Sequence, residues 1–182
     1  MGVGQLLVIF VIVLVVIVLA SGAGATHNSI VRRRNLVTES WRQVDVELRR
    51  RYDLIPNLVQ VVEAYAQYER SVLESLTAAR ETAMATQQLT QRADAEDQLG
   101  QAVRGVLIRA EQYPQLGASA QFLALQNELV NTEDRIAAGR RLYNGNVRAL
   151  NNALQTFPSS IMGKMMNVEP AVYFTAAERA MR

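Results

Sequence analysis

The chain has 182 residues, with 19 lysines and arginines against 17 aspartates and glutamates, no cysteine and one histidine. The formal charge of +2 is small and arginines alternate with acidic residues, so binding to nucleic acid is not expected. Without cysteine there is no disulfide, thiolate nucleophile or cysteine-based zinc site, and we predict no cofactor.

The N-terminal region is strongly apolar. Residues 2–26 contain no charged side chain, and valine, isoleucine and leucine dominate the segment Leu6–Ala20. With its flanks this segment reaches the ~20 residues that a helix needs to cross a bilayer, so we predict a transmembrane anchor over residues 1–27. A cleaved signal peptide is the alternative because the small residues SGAGA follow Ala20, but no basic side chain precedes the apolar segment.

Basic residues indicate the orientation of this anchor. Arg32, Arg33 and Arg34 follow it, and no basic side chain precedes it. The positive-inside rule therefore predicts an N-terminus outside the cell and a cytoplasmic body.

Beyond the anchor, apolar residues recur at helical spacing, and no segment alternates with the two-residue period of a strand. Four helices are predicted, and the first begins at Asn28. The second runs from near Asp53 to about Gln88, with Pro56 in its first turn, and the third runs from about Leu99 to Pro114. The fourth begins after an N-cap at Ser119 and stops at Pro158. The triplet Asn144–Asn146 favours a turn, but the apolar stripe keeps its phase there, so we predict one helix with a bend allowed near Gly145.

Four amphipathic helices joined by short links predict an all-α fold, in which one N-terminal transmembrane helix is followed by an up-and-down four-helix bundle. The predicted domains are the anchor at 1–27, the bundle at 28–157 and a C-terminal tail at 158–182. The tail is expected to pack on the bundle or on the membrane interface.

Three long motifs are present: WRQVDVELRRRYDLIPNLVQVVEAYAQYE at Trp41–Glu69, EQYPQLGASAQFLALQNELVNTEDRIAAGRRLYNGNVRALN at Glu111–Asn151, and FPSSIMG at Phe157–Gly163. Together they resemble the LemA family, and the similarity extends over nearly the whole chain. The chain departs from the family pattern at Tyr68, where the family usually has histidine. Any chemistry that used that histidine is not expected here.

The resemblance implies a single-pass protein of the bacterial cell membrane with a four-helix body and no established molecular function. Genes of the family often lie near those of HtpX-type membrane metalloproteases, which makes such a protease a candidate partner. Magnetosome-associated relatives suggest a role at shaped membranes.

The segment LRRRYDLIPNLV is the first candidate interaction site. Arg49, Arg50, Arg51, Asp53 and Asn57 lie around the predicted corner between the first two helices, where three guanidinium groups could bind a phosphate or a partner's carboxylates. One alternative is a charged helix end, in which the arginines complement the helix dipole and Asp53 caps the next helix. Another is a corner that only holds the geometry of the bundle.

Acidic residues form a second candidate. Glu111 could face Glu133, Asp134 and Arg140 on the following helix, but carboxylate-bridged metal sites in bundles also use histidine, and none follows His27. We therefore expect structural ion pairs. Serines and threonines have no histidine to activate them, so the sequence does not predict an enzyme.

The tail is the third candidate. Ile161, Met162, Met165 and Met166 form an apolar cluster beside Lys164, and methionine-rich surfaces adapt to different partners. In an up-and-down bundle the fourth helix returns toward the membrane, so the cluster would lie at the lipid interface or bind a membrane partner. The alternative is a strap that covers an open face of the bundle.

The sequence leaves two functions open. The first is a membrane-anchored interaction protein that presents helical faces to other copies of itself or to membrane proteins such as a metalloprotease. The second is a scaffold that self-assembles on the bilayer and shapes it. Both predict contact with membrane lipid and a homo-oligomer.

Overall fold

The computed structural model describes residues 3–64 and 69–175, and in these ranges the chain is helical with no strand. The helices in these ranges are α1 (Val3–Glu63), α2 (Arg70–Ala85), α3 (Leu89–Ala110), α4 (Pro114–Gly117), α5 (Ala120–Gln155) and α6 (Ser159–Met165). The predicted all-α class is confirmed.

The predicted boundary between the first two helices is wrong. The sequence predicts a new helix near Asp53, but α1 continues through Asp53 and Pro56. A proline lacks the N–H that would bond the carbonyl four residues earlier, which is that of Tyr52. Arg80 of α2 supplies a replacement donor, since its Nε donates to the Tyr52 carbonyl oxygen at 2.8 Å. With this carbonyl bonded and the adjacent Ile55 buried, the helix passes through the proline.

The next helices differ from the prediction mainly in their starts. The predicted second helix is divided, because α2 begins only at Arg70, and α3 begins at Leu89 rather than near Leu99. The link 86–88 contains no glycine or proline, so local sequence does not mark it. Helix α3 ends before Pro114, as predicted, and Pro114 then occupies the first turn of the short α4.

Helix α5 agrees with the prediction at both ends. The hydroxyl oxygen of Ser119 accepts a hydrogen bond from the Phe122 N–H at 3.4 Å, which is the predicted N-cap. The helix continues through Gly145 and ends at Gln155, before Pro158. The single fourth helix is therefore confirmed.

The chain forms two compact units. The first unit comprises Met1–Thr38 and Gly145–Ala171, and the second unit comprises Glu39–Asn144 and Val172–Arg182.

The second unit is a four-helix bundle of α1, α2, α3 and α5. Polar pairs join its helices: Asp45–Arg92 and Arg51–Glu96 between α1 and α3, Glu47–Arg135 and Arg50–Glu128 between α1 and α5, and Glu69–Arg109 between the start of α2 and the end of α3. Residue numbers rise together in α1 and α3, whereas they run oppositely in α1 and α5 and in α2 and α3. The helices therefore alternate in direction, as the predicted up-and-down bundle requires.

Apolar side chains at helical spacing fill the interior of the second unit. The buried ones are Val44, Leu48, Ile55, Leu58, Val62, Leu73, Leu76, Leu99, Val103, Val106, Phe122, Leu129 and Ile136. Burial of these side chains is the main stabilising contribution, at about 1.5–3 kcal/mol for each large one.

In the first unit α1 and α5 run antiparallel. Arg33 Nη1 donates to the Ala149 carbonyl at 3.3 Å, and Asn146 Nδ2 donates to the Leu36 carbonyl at 3.3 Å. Ile30 is fully buried beside these contacts. Both hydrogen bonds run from a side chain of one helix to the backbone of the other. They therefore define which residues of α1 and α5 lie at the same level along the two helices.

The N-terminal stretch of α1 is long and apolar enough to cross a membrane by length and composition. Along Leu7–Val18, every side chain is 45–68% exposed. An apolar surface of this length, exposed on all sides, is typical of a helix that contacts lipid.

Helix α6 folds back closely on the end of α5. A Cβ at Gly163 would lie 2.5 Å from Leu154 Cδ2, so a larger residue would displace that leucine. The helix ends at Met165, and Asn167, two residues later, has a φ of 51°, which asparagine tolerates. The Val168 N–H then bonds the Gly163 carbonyl at 3.0 Å, which is a Schellman motif.

Candidate functional site inside the four-helix bundle

A charged network lies inside the second unit, and Arg51 of α1 is its centre. Arg51 is 1% exposed and bonds two carboxylates, that of Glu96 on α3 and that of Glu133 on α5. Its Nη2 also donates to the backbone carbonyl of Glu96 at 3.2 Å. Burial alone would lower the pKa of Arg51, but the attraction of Glu133 and Glu96 outweighs it and raises the pKa above its ordinary value. Arg51 is therefore charged and joins three helices.

Glu96 is the most enclosed carboxylate of this network. It is fully buried and accepts hydrogen bonds from Arg51 and from the hydroxyl of Tyr52, and Arg92 Nε lies 3.6 Å away. Burial and the bond to Glu96 raise the pKa of Tyr52 to about 12. Tyr52 thus remains a neutral donor, and two guanidinium groups balance the carboxylate.

Arg92 extends the network to the outer turn of α1. Its Nη2 bonds Asp45 Oδ1 at 2.8 Å, and its guanidinium lies 5.5 Å from the ring centroid of Trp41. Burial opposes the charge, but hydrogen bonds with Tyr52 and Asp45 raise the pKa of Arg92 above its ordinary value. Asp45 also pairs with Arg49 at 2.9 Å.

The structure separates the five residues predicted around a helix corner. The corner itself is wrong, because α1 is continuous there. Arg51 points into the bundle, Arg50 pairs with Glu128 of α5, and Arg49 stays on the surface of α1. Asp53 is exposed and lines a cavity of about 510 Å³ together with Arg49.

Asn57 is exposed on α1 and does not line that cavity. Of the predicted cluster, only Arg51 belongs to the buried network.

The predicted carboxylate candidate is also divided between different partners. Glu133 pairs with Arg51, and Arg140 pairs with Asp97 of α3. In the part of the chain that the structure describes, no group of three or more acidic or histidine side chains is placed to hold a metal ion. Tyr68, which stands where the family usually has histidine, lies outside the described residues.

Sequence reasoning missed the roles of Glu96, Tyr52 and Arg92. A signal was present, because Arg51 follows Leu48 by three residues and Glu96 precedes Leu99 by three. Both charged residues therefore occupy positions of an apolar helical stripe. A charge at such a position predicts a buried ion pair, but its partner depends on tertiary structure.

The predicted tail cluster lies in α6 and at its end, within the first unit. Ile161 is 54% and Met165 is 76% exposed, whereas Met162 and Met166 are half-buried. Phe157, which precedes α6, is 82% exposed. Ile161 and Met165 of the cluster therefore lie on the surface, next to Phe157, whereas Met162 and Met166 pack partly against the protein.

The end of the described tail is extended and held by side chains of the second unit. Asn144 Nδ2 donates to the Phe174 carbonyl at 3.2 Å, and the Phe174 N–H donates to Asn144 Oδ1 at 2.9 Å. The Phe174 ring is buried and packs edge-on against Trp41, with centroids 5.1 Å apart. Tyr143 donates to the Val172 carbonyl at 2.8 Å. Residues 172–175 thus pack on the bundle.

The fold and the site define a class of all-α proteins in which an apolar N-terminal helix continues into a bundle with a buried arginine–glutamate network. The sequence profile of the LemA family matches residues 40–182. The chain is also 24% identical over 153 residues to Protein LemA of Metamycoplasma hominis, covering 83% of this chain and 69% of that relative. The chain belongs to the LemA family.

Proposed function

We propose that this protein is a membrane-anchored, non-enzymatic interaction protein whose α6 lies on the bilayer surface. One observation carries the proposal: in the first unit, a line of exposed apolar residues that begins at Phe157, just after α5, starts close to the level at which the apolar stretch of α1 ends.

The register between α1 and α5 supports this placement. Arg33 bonds Ala149 and Leu36 bonds Asn146, so each step toward the N-terminus of α1 faces one step further along α5. Because both helices rise ~1.5 Å per residue, Gln155, the last residue of α5, lies at about the level of His27, and Phe157 follows two residues later. His27 directly follows the uncharged stretch, where a spanning helix would leave the hydrocarbon.

The chemistry of α6 suits this level of a bilayer. Phe157, Ile161 and Met165 follow one another at intervals of four residues, and all three are exposed. Lys164 is exposed beside them and can extend its ammonium group to the lipid headgroups. The basic side chains of Arg32 and Arg34 favour a cytoplasmic body.

Spin labelling tests this placement, because the chain contains no cysteine to interfere. Ile12→Cys, Met165→Cys and Leu123→Cys each receive a nitroxide in the full-length protein in nanodiscs. Leu123 is the matched control, since it is an exposed apolar residue of the second unit. Relaxation of each nitroxide by oxygen and by an aqueous nickel complex then reports how deep the label lies in the bilayer.

We expect a deep label at position 12, an interfacial label at position 165 and an aqueous label at position 123. A label at position 12 that is as accessible to nickel as the control would overturn the membrane anchor. A deep label at position 12 with a fully aqueous label at position 165 would retain the anchor and overturn the α6 contact.

The non-enzymatic role rests on the charges of the site. Arg51, Arg92 and Arg140 each pair with a carboxylate, and the single histidine, His27, lies outside the bundle sequence. Helical surfaces remain available for a second copy or for another membrane protein. From the family resemblance, an HtpX-type metalloprotease is the candidate partner.

Crosslinking in native membranes followed by mass spectrometry tests the interaction role. Recovery of a membrane metalloprotease supports an adaptor, and recovery of crosslinks between copies supports a homo-oligomer. A protein that crosslinks neither to a second copy nor to any other membrane protein would overturn the role.

A membrane-shaping scaffold is the second candidate. The exposed line Phe157–Ile161–Met165 favours it, because a shallow apolar wedge in every copy of an assembly would expand one leaflet. The mass of the particle in detergent separates the two. An ordered ring or lattice supports the scaffold, and a monomer excludes it.

A further inference from the structure

The charged network forms one wall of a cavity of about 390 Å³ in the second unit, which we call the arginine cavity. The charged residues that line it are Arg51, Arg104, Arg140, Arg141, Glu96, Asp97 and Glu133. Four guanidinium groups against three carboxylates leave one positive charge in excess. The lining therefore favours an anion over a cation.

Two of the four arginines already bond all three carboxylates. Arg51 takes Glu96 and Glu133, and Arg140 takes Asp97. Among the described residues, Arg104 and Arg141 have no ion-pair partner, although both line the cavity. Their guanidinium groups are available to a ligand.

Gly100 shows how closely these groups converge. A Cβ built on Gly100 would lie 3.4 Å from Arg51 Nη1, 3.5 Å from Glu133 Oε2 and 3.9 Å from Arg104 Nη1. Arg104 thus reaches the same point of the cavity wall as the ion pair between Arg51 and Glu133. The glycine is buried, and its missing side chain leaves room there.

Two donors beside the cavity are unpaired. Arg51 Nε and Arg140 Nε have no hydrogen-bond partner among the residues that the structure describes. Both atoms are enclosed by protein and do not reach the cavity surface, so direct contacts with a ligand come from Arg104 and Arg141. A buried N–H without an acceptor costs about 1–3 kcal/mol, and the charge of both guanidinium groups lies beside the cavity, where it favours an anion.

We propose that the arginine cavity binds a small multivalent oxyanion of the phosphate monoester class. Guanidinium groups match the geometry of phosphate oxygens and bind them through paired hydrogen bonds. The volume lies within the range of small-molecule sites and exceeds the needs of a bare ion. Ala137, which also lines the cavity and is exposed, supplies an apolar surface for the organic part.

The experiment compares two double variants of the full-length protein in phosphatidylcholine nanodiscs. Arg104→Gln/Arg141→Gln removes the two available guanidinium groups. Arg32→Gln/Arg148→Gln is the matched control, because these arginines are exposed, lie outside the cavity and give the same change in charge. Titration calorimetry measures binding of inorganic phosphate and of glycerol 3-phosphate at constant ionic strength.

We expect saturable binding of glycerol 3-phosphate to the wild type and to the control, and at least about tenfold weaker binding to the cavity variant. Circular dichroism confirms that both variants remain folded. Equal affinities of the two variants, or no saturable binding to the wild type at millimolar ligand, would overturn the proposal.

A second arm identifies the source of the phosphate. Nanodiscs that contain phosphatidic acid present the same phosphate monoester as a lipid headgroup. If they raise the unfolding temperature of the control but not of the cavity variant, and raise it more than saturating glycerol 3-phosphate does, the preferred ligand is a lipid headgroup. If glycerol 3-phosphate has the larger effect, the preferred ligand is a soluble phosphate monoester. Stabilisation of both variants to the same extent would overturn the proposal.

Discussion

The two units bury their polar groups in different ways. In the second unit, charged side chains pair with one another, as Arg51 does with Glu96 and Glu133. The second unit also has bonds from side chains to the backbone, such as those between Asn144 and Phe174.

In the described part of the first unit no ion pair is present, and side chains bond the backbone. Asn151 exchanges two hydrogen bonds with Ala171, at 2.9 Å from Nδ2 to the carbonyl and 2.8 Å from the N–H to Oδ1.

The difference has consequences for stability. Removal of one member of a buried ion pair leaves the other charge uncompensated in a medium that solvates it poorly, which is costly. An amide that loses a backbone partner loses only a neutral hydrogen bond. We therefore expect the second unit to respond strongly to charge substitutions and pH, and the first unit to respond weakly to both.

The largest expected effect comes from Arg51→Met, which preserves much of the volume but removes the charge. Glu96 then remains fully buried without its main partner, and we expect a loss of about 3–5 kcal/mol in the free energy of unfolding. Urea unfolding followed by circular dichroism measures it. Arg49→Met is the control, because Arg49 is 74% exposed and should change stability by at most ~0.5 kcal/mol.

A second substitution shows whether the uncompensated charge is the cause. Glu96→Gln in the Arg51→Met background removes that charge while an oxygen still accepts from Tyr52, so part of the stability should return. If Arg51→Met costs no more than Arg49→Met, the network does not stabilise the bundle.

Alkaline pH should weaken the second unit through Tyr52. Its pKa is raised to about 12, against about 10 in an unfolded chain, so the folded state retains the proton longer. The resulting stability is fully present below pH ~10 and is lost as the pH rises through 12, by about 3 kcal/mol at most. Urea unfolding at successive pH values measures this loss.

Tyr52→Phe should reduce the slope between pH 10 and 12. Tyr143→Phe is the comparison, since burial also raises the pKa of Tyr143, but no carboxylate contributes there. Identical slopes in the wild type and in Tyr52→Phe would contradict the assignment.

A third substitution that should destabilise the second unit concerns the helix around Pro56. Arg80→Met removes the donor to the Tyr52 carbonyl and should cost about 1–2 kcal/mol, because a partly buried carbonyl is left without a partner. In a Pro56→Ala background the restored N–H bonds that carbonyl, so the same substitution should cost about 1 kcal/mol less. Equal costs in both backgrounds would exclude the compensation. Arg70→Met, at a 90% exposed side chain, is the control.

This compensation explains why one helix boundary could not be predicted. Local rules place a helix start near Asp53 and Pro56, and they are sound for an isolated segment. The contact that overrides them comes from Arg80, which is distant in sequence and reaches Tyr52 only in the folded bundle. The Ser119 cap, in contrast, depends only on neighbouring residues and was predictable.

The candidate site was predictable in composition but not in pairing. The arginine triplet at 49–51 identified the right segment, yet successive residues of a helix point ~100° apart, so only Arg51 faces inward. The partner carboxylates come from α3 and α5, and spacing along the chain does not specify them. Likewise, the apolar tail cluster was visible, but its division into exposed Ile161 and Met165 and half-buried Met162 required the packing of α6.

The smallest expected effect on stability comes from a substitution in the first unit. Asn151→Ala removes both hydrogen bonds to Ala171 and should cost only about 1 kcal/mol, with faster hydrogen exchange at Ala171. Because an amide does not titrate, the cost should be the same at pH 5 and pH 9. Asn152→Ala, at the exposed neighbouring position, should change neither quantity. A cost that varies with pH would mean that charges also determine the stability of the first unit, and the contrast between the two units would then fail.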